Sequence, residues 1–322
     1  RSCRLAFFIS LIATASWLLC PQPALLPSST AFSPALLDRD GRIVHLALTN
    51  DGKYRLKTPL ADISPNLVSA TLAMEDRHFH SHPGVNPVSL LRGAWGMISG
   101  TRQGGGSTIT MQYARLRFGL RTKSITGKLV QIARALQLER YYSKDQILEA
   151  YLNLAPYGGN VEGVGAASLL WCGKEVKDLS MREAVALAVL PQSPTRRRPK
   201  IGGENEAHAA ASYRLWQRIG EEDGVRIDPL DAGYTLRPEA RVPREVPHLA
   251  RRQFRESGGQ TIVHSFIDLP KQQIVEHALG SFRVQAEVVG AQVGPAVTMF
   301  ELTVAQGTRM NKVAQLSQEI AA

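Results

Sequence analysis

Met74-Glu75-Asp76-Arg77-His78-Phe79-His80-Ser81-His82-Pro83-Gly84 gathers two carboxylates, an arginine and three histidines at the end of a helical pattern. That pattern starts at Ser64, an N-cap residue type, with Pro65 in the first helical position and Leu67, Val68 and Leu72 on one stripe. Glu75 follows Val68 by seven residues and Leu72 by three, so it is expected on the apolar stripe of its own helix. A carboxylate in that position is partly desolvated, which raises its pKa and makes it a better general base. The plainer reading is an Asp-Arg-His salt-bridge knot at a helix end. His78, His80 and His82 alternate, a spacing that suits metal ligands only on a strand or loop, so no metal site is expected.

Working outward, Gly104-Gly105-Gly106-Ser107-Thr108-Ile109-Thr110-Met111-Gln112 opens a further helix, and its backbone amides and hydroxyls could hold an anion. No Gly-Lys-Ser/Thr follows, so it is not a Walker motif. Arg115, Arg117, Arg121, Lys123 and Lys128 crowd behind it, either as a solvated basic face or as a groove for a pyrophosphate. Capping boxes start helices at Ser143-x-x-Gln146 and Ser180-x-x-Glu183; the first is ended by Pro156 and the second runs from Ala184 to Leu190 before Pro191. Asp38 to Arg42 reads as a turn between short strands, Ile43 to Leu56 as a small strand pair, and Glu206 to Glu222 as an amphipathic helix.

The chain has 322 residues, 44% apolar and 20% charged, which excludes disordered and collagen-like classes. Its formal charge of +10 points to phosphate-bearing partners without choosing among nucleic acid, anionic lipid and a pyrophosphate. Cys3, Cys20 and Cys172 are too few and too scattered for a disulfide framework or a zinc site. Leu5 to Leu26 carries no charge and as a helix would span about 33 Å, close to a bilayer core. Arg1 and Arg4 precede it, so the remainder is expected outside the cytoplasm whether the stretch is an anchor or a cleaved signal.

In order, Glu75-Asp-Arg-x-Phe79-x-x-His82-x-Gly84-Val-Asn86, Gly105-Gly-Ser-Thr-Ile-Thr-x-Gln112, Lys128 ahead of Ala135-Leu-Gln-Leu-Glu-Arg-Tyr-Tyr-Ser-Lys144, and Ile147-Leu-Glu-Ala-Tyr-Leu-Asn153 closely resemble one known domain. It is the peptidoglycan glycosyltransferase domain of class A penicillin-binding proteins, glycosyltransferase family 51, and the resemblance covers roughly residues 35 to 200. Leu154-Ala-Pro-Tyr-Gly-Gly159 and Ala188-Val-Leu-Pro-Gln192 look most like the one-C type. The resemblance implies a mainly α, lysozyme-like fold behind an N-terminal transmembrane helix, with a small α/β segment at the C-terminal end. It also implies polymerisation of lipid II at the periplasmic face of the inner membrane. Glu75 would be the general base. Ser107, Thr108, Gln112 and Lys128 would hold the lipid pyrophosphate, and Arg77 and Trp95 would complete the substrate contacts. Mg²⁺ or Mn²⁺ is compatible with this chemistry, and no cofactor is obligatory. Val88 to Ile98, which contains Trp95, would admit the lipid tail or form an ordinary core helix.

The chain departs from the family pattern in its third motif, where Gly127-Lys-Leu-Val-Gln131 replaces Arg-Lys-x-x-Glu, so the second catalytic position, Gln131, is an amide. Asn86 stands where aspartate is frequent. The expected organisation is a cytoplasmic stub and anchor at 1–26, a stalk at 27–60, the glycosyltransferase domain at 61–200 and a linker at 201–259. Residues 260–283 resemble the start of a transpeptidase domain, and 284–322 resemble a segment of FtsK-type DNA translocases or a fusion artefact. Three functions compete: a lipid II polymerase served by a separate transpeptidase, a non-catalytic peptidoglycan or lipid II binding protein, and a DNA-translocation accessory. Nucleic acid is not the expected partner. No Ser-x-x-Lys or Lys-Thr-Gly occurs in the sequence. A fluorescent β-lactam should therefore leave this chain unlabelled on a denaturing gel, and one equivalent of covalent label would contradict that.

Overall fold

Pro65 opens helix α1 (Pro65–Glu75), where its missing N–H costs no hydrogen bond. Ser64 precedes it as expected but does not cap it with its side chain: the buried hydroxyl donates instead to the Leu179 carbonyl at 3.0 Å. The inward row of α1 is Leu67, Ala70 and Thr71, while Val68 and Leu72 are only half-buried. Glu75 stands one turn beyond Thr71 and two beyond Leu67, so this row carries it inward, and not the expected Val68–Leu72 stripe.

The computed structural model describes residues 21–27, 29–38, 41–88, 90, 107–200, 205–222, 236, 250, 254–255, 261–264, 286–293 and 298–304. Of the expected membrane helix only 21–26 is described, and it is not helical, so the expected anchor does not extend to residue 26; the stretch around Trp95 lies outside the described residues. Among the described residues no helix is long and apolar enough to cross a membrane. The chain forms two compact units, Arg1–Ala31 with Arg55–Ala240, and Phe32–Tyr54 with Arg241–Ala322.

In the first unit α1 is followed by α2 (Ile109–Phe118), α3 (Ile125–Tyr141), α4 (Lys144–Leu154), the short α5 (Val164–Ala167), α6 (Met181–Ala188) and α7 (Glu206–Glu222). The starts of four of them are chemically marked. Thr108 and Ser124 accept from the backbone of Met111 and Gly127, and both expected capping boxes, Ser143/Gln146 and Ser180/Glu183, are formed. Helix α6 ends at Ala188, short of the expected Leu190, because the chain tightens there into a turn in which Leu190 N–H donates to Leu187 O at 3.0 Å. Helices α1, α6 and α7 pack on one another, and α2 packs on both α3 and α4. The core of the unit includes Leu67, Ile109, Met111, Tyr113, Leu138 and Ile147, all essentially without solvent exposure.

Two polar devices hold loops to this core. Asn153, 3% exposed, accepts from Thr58 N–H at 2.8 Å and donates to Thr58 O at 2.8 Å and Glu149 O at 2.9 Å, so one side-chain amide pairs both backbone groups of a residue far away in sequence. The segment Pro21–Leu25 is strapped along α2 and α3 through its carbonyls. Gln137 Nε2 donates to Pro21 O at 3.0 Å, Tyr142 Oη to Pro23 O at 2.5 Å, Arg117 Nε to Ala24 O at 2.8 Å, and Tyr113 Oη to Leu25 O.

In the second unit β1 (Ala35–Leu37) pairs antiparallel with β2 (Ile43–Leu46) and parallel with β3 (Ile262–His264), in the order β2-β1-β3. The strand pair expected within 43–56 therefore forms one step earlier. Asp38 closes its turn by accepting from Arg42 N at 2.8 Å, and Thr49 and Lys53 form a tight loop in place of the expected second strand. β4 (Ala286–Val293) and β5 (Thr298–Val304) make a separate antiparallel pair.

Asn153→Ala should destabilise the first unit by about 2 kcal/mol, since it leaves a buried N–H and C=O unpaired. Denaturant unfolding measures this, and a loss within 0.5 kcal/mol (about the noise of a surface substitution) would contradict it.

Candidate functional site

Asp76 fixes the site. Its carboxylate receives His82 Nε2 at 3.0 Å on both oxygens and accepts from the Ile109 N–H at 3.0 Å, so the end of α1, the loop after it and the start of α2 meet at one side chain. Of the Asp-Arg-His knot in the plainer reading, this is the Asp76–His82 pair. Thr108 locks the same junction, donating to Gly84 O at 2.5 Å while capping α2. Gly84 has φ +81°, and a Cβ there would lie 2.5 Å from Glu139 Cγ, so no side chain fits.

With the junction fixed, Glu75 faces α2 and its Oε2 accepts from Gln112 Nε2 at 2.6 Å. Its Oε1 is buried and has no hydrogen-bond partner among the described residues. Burial pushes the Glu75 carboxyl above the usual range, against the opposing pull of the Gln112 hydrogen bond and the charges of Arg197 and Arg115. Such a group is a carboxylate of increased basicity with one oxygen oriented and the other available. Lys128 of α3 reaches the start of α2, where its Nζ donates to Ser107 Oγ at 2.7 Å, and burial followed by the charge of Arg115 lowers the Lys128 pKa.

The structure thus brings together Glu75 with Gln112, and Lys128 with Ser107. Thr108 is buried and its hydroxyl is engaged in the cap. Arg77 is exposed and lines a different groove of about 580 Å³ with Leu60, Pro65, Val68 and Leu72. Trp95 lies outside the described residues. Gln131 is 2% exposed and its Nε2 donates to Met111 O at 2.6 Å, bridging α3 to α2. The neighbouring departure, Gly127, also has a physical reason: a Cβ there would stand 2.0 Å from Arg121 O, under the turn that precedes α3.

Two residues escape sequence reasoning. Arg115 stands there among the basic residues behind the glycine run and Arg197 is not singled out, yet both act on Glu75 electrostatically. Arg197 is held by Val189 O at 2.7 Å and Gln192 Oε1 at 2.8 Å, and only the fold after α6 carries it there. Pro191 and Pro194 in the segment signal a turn and nothing of its direction.

A divalent metal does not fit this donor set. Glu75 has an amide and two guanidinium charges for neighbours, and Asp76 is committed to His82 and a backbone N–H. Among the described residues no group of three or more His, Cys, Asp or Glu is arranged to hold one.

Gln131→Glu should lower stability by about 2 kcal/mol at pH 7.5 and leave it near wild type at pH 4. A carboxylate there would turn an oxygen towards Met111 O, so its folded pKa rises above the unfolded value and the stability present below that value is lost as pH increases. Thermal melts at the two pH values decide it, and a variant equally stable at both would contradict it.

A family model described as "Transglycosylase" matches residues 41–218, and a second, "FtsK alpha domain", matches residues 263–322. Penicillin-binding protein 1C of Escherichia coli (strain K12) is 43% identical over 201 residues, which is 62% of this chain and 26% of that protein. Penicillin-binding protein 1A of Pseudomonas aeruginosa is 40% identical over 218 residues, 63% of this chain and 25% of that protein. Penicillin-binding protein 1A from Haemophilus influenzae, a solved structure, superposes on 77% of this chain and 29% of that chain with a TM-score of 0.33 and 15% identity, too low to bear on the fold. The chain spans about a quarter of the length of these curated relatives. The first family match covers more than half of the residues and contains both the Asp76 junction and the Glu75–Gln112 pair, and on that ground the chain belongs to the transglycosylase family.

Proposed function

We propose that the chain is a peptidoglycan glycosyltransferase that polymerises lipid II, with Glu75 as the general base. The observation that carries this reading is the state of the Glu75 carboxylate: Oε2 is held by Gln112, Oε1 is free of protein partners among the described residues, and its pKa is raised by burial. In the step, Oε1 takes the proton from the acceptor sugar's 4-hydroxyl. The oxygen forms its bond to the anomeric carbon of the growing chain, and the lipid pyrophosphate leaves with the electron pair of the broken bond. One displacement inverts that carbon. Lys128, paired with Ser107, and Arg115 supply positive charge to the departing pyrophosphate. Gln131 serves by holding α3 against α2 at Met111. No step requires a metal.

By the same reading the apolar stretch that runs from Leu5 up to the strap at Pro21 anchors the protein in the inner membrane with the catalytic unit in the periplasm, beside the growing glycan strand and a separate transpeptidase. The amide at position 131 favours a second reading, a protein that binds lipid II and leaves it monomeric.

Glu75→Gln should lower polymerisation of lipid II in detergent by at least about 100-fold, the range of a lost general base. It should also be as stable as wild type or more so at pH 7.5. The folded pKa of Glu75 lies above its unfolded value, so its contribution to stability is present at low pH and lost as pH rises through the folded pKa; the melting difference should close towards pH 4. Near-normal turnover of the variant would remove Glu75 as the base, and a wild type that binds lipid II without extending it would select the second reading.

A further inference from the structure

Lys144, the first residue of α4, is withdrawn from solvent as few lysines are. Its side chain is 19% exposed, and its Nζ donates to His82 O and to Glu139 Oε1, each at 2.7 Å. The Phe79 ring centroid lies 4.5 Å from the same nitrogen, so two acceptors and an aromatic face surround the ammonium. Phe79 is buried in turn and meets the His82 ring edge to face at 6.4 Å. Glu139, in the last turn of α3, ties in a third helix. Its Oε1 also accepts from Thr110 Oγ1 of α2 at 2.5 Å, and its Cγ fills the space that a side chain at Gly84 would need.

These contacts make an unbroken path to the base. Lys144 holds the carbonyl of His82, the ring of that same histidine holds the Asp76 carboxylate, and Asp76 follows Glu75 directly in the chain. The other branch runs through Glu139 to Thr110, two residues before Gln112, which donates to Glu75 Oε2. Helices α2, α3 and α4 and the loop after α1 thus converge on one largely buried ion pair. Desolvation offsets the attraction within such a pair, so added stability is a poor reason for placing one here, while a fixed geometry is a sufficient one.

We infer that Lys144 is a positioning residue for the base: paired with Glu139, its ammonium grips the loop after α1 by the His82 carbonyl and keeps Asp76 and Glu75 in register with α2. The inference rests on the reading of Glu75 as the base. Lys144 acts only through its neighbours. Without its charge the His82 carbonyl loses its donor, the ring is free to turn away from Asp76, and the junction that orients Glu75 towards Gln112 loosens.

The experiment uses the full chain in detergent and compares Lys144→Met with the double variant Lys144→Met/Glu139→Gln, at a temperature where both are folded. Met keeps the unbranched chain without the charge, and Gln keeps an oxygen for Thr110 to donate to. The single variant leaves Glu139 buried without its counter-charge and should melt below wild type, while the double variant should regain most of that loss. In both, kcat for lipid II polymerisation should fall about tenfold, with KM within about twofold of wild type. Added to Glu75→Gln, Lys144→Met should cost less than about twofold further, because a residue that acts through the base then has nothing left to position. Hydrogen exchange, read by mass spectrometry on the peptide that carries Ile109, should quicken in the double variant despite its regained stability, since that N–H is bound to Asp76. A purely stabilising role would restore kcat together with the melting temperature in the double variant. That result overturns the inference, as does a loss that persists in full on the Glu75→Gln background or a rise in KM at unchanged kcat. If Lys144→Met does not fold, the double variant carries the same readings. If wild type makes no glycan, or Glu75→Gln turns over normally, the reading of Glu75 as base fails; unchanged exchange at Ile109 then separately overturns the hold of Lys144 on the junction.

Discussion

Asp76 carries the geometry of this molecule's site. One carboxylate binds the His82 ring, accepts the first free N–H of α2 and sits next to Glu75 in the chain. An acceptor at a helix N-terminus is favoured by the helix dipole as well as by the hydrogen bond, so Asp76 stabilises α2 and sets its direction. Because Gln112 is three residues beyond Ile109, fixing the start of α2 fixes where the amide meets Glu75. Remove the junction and the base would keep its helix and lose its orientation.

Around that junction the fold holds two opposed demands together. Burial disfavours the charge on Glu75, while Gln112, Arg197 and Arg115 favour it, and burial wins. A fully satisfied carboxylate would be stable and weakly basic; an unaccompanied one would stay protonated. The observed balance leaves the group basic enough to take a proton from a sugar hydroxyl and costs the unit some stability at neutral pH. Glu183, in the capping box of α6, shows the contrast. Burial would raise it too, yet Lys174 and Ser180 outweigh burial and hold it below the usual carboxylate range, as suits a residue that only has to keep a helix in place.

What can be read from the sequence follows the range of the interactions. The capping boxes at Ser143 and Ser180 close within four residues, so their letters suffice, and the span of α7 is legible from its amphipathic period. The motif around Glu75 announces its residue but points to the wrong stripe, because the inward row is chosen by what packs on α1 from α6 and α7. Ser64 has the letter of a cap and finds an acceptor more than a hundred residues away. Arg197 acts on Glu75 only after the chain has turned back, and nothing local distinguishes it from ordinary basic residues.

The strap at Pro21–Leu25 is held through carbonyl oxygens, by Gln137, Tyr142, Arg117 and Tyr113. Proline lacks an N–H and keeps its C=O, so a segment containing Pro21 and Pro23 can be gripped this way without offering an edge for strand pairing. Its side chains are thereby released from recognition. Over evolutionary time the letters of the strap can drift while its path stays fixed, and the constraint moves to four residues on α2, α3 and the turn after it. In an alignment the strap would pass for a variable spacer, and the record of its docking would be written in the helices it touches.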